Sequence, residues 1–232
     1  MTPKPDTDFD AAKTYVLARL ARELPETMFY HSVWHSRDEV LPQVNRLIEL
    51  ERLTGRPRLW VRTAALYHDI GFTVSSTDHE RTSVRIATRI LPRFGYSSSD
   101  IEAITRIIMA TRLPQSAQTL AEQILADADL DVLGRDDFFT RNQLLRAELA
   151  ASGTIFSDES WLNGQLNLMR DHNYFTASAR TMRQAGKLEN IKTLSRALAH
   201  CRQLNAQGDS ELCPLIHPIT TGINLASHTA IH

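Results

Sequence analysis

Along the chain, apolar residues recur at helical spacing. Phe9, Ala12, Tyr15, Val16, Leu17, Leu20 and Leu24 mark a first helix over residues 9–23, with Asp8 or Asp10 to cap it and Leu24-Pro25 to end it. Val40, Leu41, Val44, Leu47, Ile48 and Leu50 form the stripe of a second helix over 36–53, with Pro42 in its first turn. Residues 58–69 carry no charge from Thr63 to Tyr67, which reads as a buried helix, and Gly71 is its expected stop. Further helices are expected over 79–94, 99–112, 120–133, 136–151 and 157–170, with a long last one over 176–205. Trp34 and Trp161 are expected in the core. No stretch shows the period-two alternation of a half-buried strand. The pattern predicts an all-α fold with one domain: residues 1–27 as an N-terminal helix packing on it, 28–207 as the functional body and 208–232 as a flexible tail.

Composition narrows the class. Apolar residues at 42% and charged residues at 23% are a globular balance, so a packed core is expected. Lysine and arginine number 26 against 27 acids, a net charge of -1. That leaves no global field for nucleic acid. Two cysteines do not make a secreted disulfide scaffold, and no apolar run is long enough for a membrane span. A cytoplasmic protein follows by elimination. The final helix leaves open whether it packs internally or against a second copy in a homodimer.

The chemistry is concentrated in Ala64-Ala65-Leu66-Tyr67-His68-Asp69-Ile70-Gly71. A His-Asp pair ending a buried helix is costly unless it is paired or binds a cation, and imidazole with carboxylate suits a divalent metal. Other donors come from His31 and His35, four apart and on one face if helical, from His79-Glu80 opening a helix, and from Asp127, Asp129 and Asp131, alternating in an apolar segment. Each piece has a plain alternative, as a solvated face or a cap. Their order along the chain is more specific than any one of them.

That order resembles the HD-domain superfamily of metal-dependent phosphohydrolases, over about residues 28–190. The resemblance rests on Tyr30-His31-Ser32-Val33-Trp34-His35, Ala64 to Gly71, His79-Glu80-Arg81-Thr82-Ser83 and Asp127-Ala128-Asp129-Leu130 with Leu133-Gly134. It implies an HD-type helical bundle with the metal site between central helices. It implies metal ligation by His35, His68, Asp69 and a later Asp. Asp127 is preferred there because Val132 and Leu133 follow about a turn and a half on, which leaves Asp129 to orient water or act as base. Thr111 stands where a further histidine for a second metal would fall, so one divalent ion per chain is expected: Mn, Fe, Co, Ni, Zn or Mg.

The activity implied is hydrolysis of a phosphate ester, a small nucleotide or related phosphometabolite, by metal-activated water. His79 and Glu80 are candidates for proton transfer. His31, Arg37, Arg81 and Arg112 are candidates for substrate binding, although each arginine singly also fits a solvated helix face. Tyr174-Phe175-Thr176, with Arg180 and Arg183, reads as packing or as a pocket wall. Two other readings stay open: an HD-fold regulatory module that binds metal or nucleotide, and a di-iron oxygenase, which the residue at Thr111 disfavours.

Overall fold

The computed structural model describes residues 6–207, and all regular structure among them is helical. Helix α1 runs Phe9–Glu23, and Asp8 caps it by accepting the Ala11 N–H at 2.8 Å. A π-helical turn, His35–Val40, leads into α2, Leu41–Leu50. The wide turn has a local cause. Pro42 has no N–H and its ring crowds the carbonyl four residues back, and the Leu41 N–H reaches Ser36 O, five back.

Helix α3, Arg56–Tyr67, is the axis of the bundle. Val61, Ala64, Ala65, Leu66 and Tyr67 have no exposed surface, and α1, α2, α5 and α6 all pack on the helix. The alanine pair lets these neighbours approach closely. A full side chain buried here, such as Leu66, contributes about 2 kcal/mol, and truncating it to Ala costs about 2–5 kcal/mol. In α1, Ala12, Val16 and Leu20 are buried in the core, and the Tyr67 hydroxyl donates to Ala12 O at 3.0 Å.

After α3 come a 3-10 turn, Ile70–Thr73, then α4, His79–Ile90, and α5, Ser98–Met109. Gly71 does more than end a helix. A Cβ there would lie 2.0 Å from His79 O, and its N–H donates to Ser83 Oγ at 2.8 Å, so only glycine lets the start of α4 close on the His-Asp turn.

Helix α6, Leu120–Asp129, is opened by a Thr119–Glu122 capping box and followed by a 3-10 turn, Asp131–Gly134. Three more helices follow among the described residues: α7 (Phe138–Ala151), α8 (Asp158–Asp171) and α9 (Ala177–Gln207). A second apolar cluster, including Phe138, Leu162, Met169, Leu194 and Leu198, joins them.

Trp161 is buried as expected, but Trp34 is 41% exposed, lying beneath the Arg141 guanidinium instead of in the core. No helix is long and apolar enough to cross a membrane among the described residues. The expected tail, 208–232, lies outside those residues.

Candidate metal centre

Each histidine of the site is held at one ring nitrogen. His68, the residue after α3, sets Nδ1 2.9 Å from Ala65 O, and His35 sets Nδ1 3.1 Å from Glu39 Oε2. A nitrogen facing a carbonyl or carboxylate carries the proton in the neutral ring, which leaves the Nε2 lone pair free. Glu39 is itself anchored by Arg141 at 2.7 Å and Arg135 at 2.9 Å.

The two free nitrogens meet two carboxylates. Asp129 Oδ1 lies 3.3 Å from His68 Nε2 and 3.4 Å from His35 Nε2. Asp69 Oδ2 lies 3.1 Å from His68 Nε2 and 3.7 Å from His35 Nε2. Donor atoms of His35, His68 and Asp129 all fall within 4.8 Å of one another. His68 Nε2 and Asp69 Oδ2 are buried with no hydrogen-bond partner. Orphaned buried atoms are expensive, and two of them in one nitrogen-oxygen cluster fit a divalent cation.

The electrostatics agree. Burial lowers the proton affinity of His35, yet Asp129, Glu39 and Asp69 outweigh it and raise the net pKa. At His68 the same burial is overruled by Asp69 and Asp129, and the pKa stands well above its usual value. Burial would raise the pKa values of Asp69 and Asp129, but the histidines pull both well below the usual carboxylate range. A cation at these nitrogens would compete with their protons.

The carboxylate preferred from the sequence is not the one at the histidines. Asp127 accepts the Phe175 N–H at 2.7 Å, the Thr176 N–H at 2.8 Å and the Thr176 hydroxyl at 2.7 Å. It fastens the start of α9, so its oxygens are already occupied. Asp131 is likewise engaged, with Arg183 at 2.6 and 2.9 Å and Gln43 at 2.8 Å. Asp129 alone of the three faces the site. This also explains Thr176 and Arg183: they are packing partners of those acids.

His31 and His35 do not share a helix face, because His31 lies in a bend before the helical turn. The fold still brings their ring centroids within 6.0 Å. His31 Nδ1 is 2.5 Å from Glu148 Oε1, and the same carboxylate accepts the N–H groups of Tyr30 and His31. The Phe72 ring stacks on His31 at 4.3 Å and on His79 at 4.1 Å. His79 opens α4 as expected, with Nε2 3.5 Å from Asp69 Oδ1 and 3.7 Å from Glu80 Oε1. The side chains of His31 and His79 are each 21% exposed and form the open rim over the buried donors.

The arginines stand farther out. Arg37 pairs with its neighbour Asp38 on the surface and contacts none of the four central residues. Arg81 and Arg112 both approach Asp78, the residue before His79, at 3.4 Å. Thr111 is buried and donates to Ile108 O at 2.8 Å. Sequence reading missed Glu39 and Glu148. The spacing of Glu39, four residues after His35, was a usable signal; Glu148 reaches His31 from α7 and had none.

Comparison with known proteins places the fold. Bacillus subtilis YpgQ, solved in complex with ADP, superposes with a TM-score of 0.55, covering 86% of this chain and 94% of that one at 23% identity. That likeness shows the shared fold. No curated protein gives a significant match. The HD domain family model matches residues 15–131, from within α1 to the turn after α6 and half of the sequence, and the chain belongs to the HD domain family.

Proposed function

We propose that this protein is a metal-dependent phosphohydrolase whose substrate is a phosphate ester of the small-nucleotide class. The observation that carries the reading is the convergence of His35 Nε2, His68 Nε2, Asp69 Oδ2 and Asp129 Oδ1, two of these atoms being buried without a hydrogen-bond partner. The HD family generally comprises hydrolases, and the ADP held by YpgQ supports a phosphorylated ligand. A divalent ion held by these four side chains supplies Lewis acidity toward a phosphoryl oxygen and activates water. Nitrogen and oxygen donors suit Mn, Fe, Co, Ni or Zn. Thr111, already bonded to Ile108 O, offers no imidazole for a second ion, which favours one per chain.

The chain's own residues divide the remaining work. Glu39 and Ala65 O fix the rings so that both Nε2 atoms point inward. His79 Nε2, 3.5 Å from Asp69 and 3.7 Å from Glu80, supports a proton-transfer role on the open side. His31, with Nδ1 tied to Glu148, presents its other edge at the rim to a phosphate.

Elemental analysis of the purified protein, run beside His68→Ala, tests the reading together with a screen of nucleotides and generic phosphoesters. One equivalent of transition metal, lost in the variant along with turnover, is expected. Full activity in His68→Ala sinks it. No metal, and none taken up on addition, leaves the regulatory module; two equivalents of iron turn the assignment to the oxygenase.

A further inference from the structure

A second recess lies between α1 and α4, apart from the histidine cluster. Its volume is about 550 Å³, in the range of small-molecule pockets, and neither His35, His68, Asp69 nor Asp129 lines it. Its charged lining is one-sided. Arg19, Arg85, Arg89 and Arg93 face a single acid, Glu23. Arg19 is paired with that acid at 2.7 Å. Arg85 donates only to the Thr82 hydroxyl, at 2.8 Å, and Arg89 and Arg93 have no carboxylate partner among the described residues.

Arg85, Arg89 and Arg93 follow one another at four-residue steps along α4 and the 3-10 turn Leu91–Phe94 after it. Like charges at that spacing repel, so the stripe has an electrostatic cost that an anion would relieve. In a chain of net charge -1, this concentration of cation is not a by-product of composition. The rest of the lining is different: the exposed Val74, the buried Ile86 and Ile90 and the Tyr15 ring add apolar groups beside the guanidinium groups.

We propose that this recess is a binding site for a small molecule carrying two or more phosphate groups, separate from the metal centre. Guanidinium forks match phosphate oxygens in bidentate geometry, and three of them in line suit neighbouring phosphates. Tyr15 and the isoleucines accept a flat or apolar remainder. A nucleic-acid strand is a poorer fit, because it needs an extended basic surface and this one is confined to a recess. His79 opens the same helix about 15 Å from Arg89 by helical rise, so one rigid element carries parts of both sites.

Calorimetric titration with methylenediphosphonate, which resists hydrolysis, tests the site on metal-stripped wild type, His68→Ala and the exposed pair Arg85→Ala/Arg89→Ala. The expected result is saturable binding that survives His68→Ala, weakens at least ~10-fold in the arginine variant through lost charge-assisted bonds, and falls with added salt. No binding to wild type overturns the proposal. So does binding that the arginine variant retains, which would place the probe elsewhere. Elemental analysis of the arginine variant should give the wild-type metal content, so failure here leaves the reading of the metal centre untouched.

Discussion

His68 and His172 are both buried, one at the end of α3 and the other at the end of α8, and their surroundings drive them in opposite directions. Burial depresses the proton affinity of each. At His68, Asp69 and Asp129 reverse that and hold the pKa well above the usual value. At His172 the neighbour is Lys187, with Nζ 3.3 Å from Nδ1 and also donating to the His172 carbonyl, and burial with this cation lowers the pKa to about 4. Tyr174 completes the second group, its ring edge-on to His172 at 4.6 Å and beneath Lys187 at 5.6 Å. Each histidine has an orphaned Nε2. Only the first has carboxylates facing it. A buried imidazole is therefore no site by itself; the sign of the charge around it decides between a cation site and a neutral packing element.

The sharpest way to break this comparison is to exchange the roles of the acids on α6. Asp129→Asn should abolish metal binding and turnover. Asp127→Asn should keep the metal but cost about 1–3 kcal/mol of stability, because the acceptor at the start of α9 is weakened. Metal analysis and denaturant melts on both variants check it, and metal lost only from the Asp127 variant would reverse the assignment.

Next in size is the acid response of His172. Above pH 6.5 the ring is neutral both folded and unfolded and contributes nothing. Between 6.5 and about 4 the unfolded chain takes up a proton that the folded chain refuses, so stability falls as pH falls. The loss reaches roughly 3 kcal/mol at the acid end. Urea denaturation at several pH values should show that slope in wild type and a shallower one in His172→Gln.

Glu39→Gln addresses the support behind the first histidine. It should leave the fold intact and weaken metal affinity ~10–100-fold, read by competition with a chelator. Arg37→Ala is expected to do least. Its charged partner among the described residues is Asp38, on the surface, so stability should stay within about 0.5 kcal/mol of wild type and turnover should not change. A large loss of activity there would return Arg37 to the substrate.

Much of the molecule was legible locally. Helix stripes and breakers located α1, α3, α4 and α8 to within a few residues, because an amphipathic segment must bury its apolar side whatever it meets. The His68-Asp69 pair stood out because charge at the end of a buried stretch with no charge from Thr63 to Tyr67 demands compensation. The reading failed where a local rule had two outcomes. Pro42 lies in the first turn of α2 as expected, but the helix expected to start at residue 36 begins there as a π turn and becomes α-helical only at Leu41. Trp34 has the hydrophobic mass of a core residue, yet its place is beneath Arg141 at the surface.

The sequence by itself determined an all-helical chain with a histidine-aspartate centre on a buried helix, since periodicity and unpaired charge are properties of neighbouring residues. Only the tertiary structure decided which acid completes that centre. Residues two apart on a helix face away from one another, so Asp127 and Asp129 on α6 had to point to opposite sides, while Asp131 lies beyond the helix in the 3-10 turn. Which side meets the histidines was set by how α6 packs against α2, α3 and α5. Glu148, likewise, reaches His31 from α7 across 117 residues of sequence. Contacts that span the fold leave no trace in local spacing.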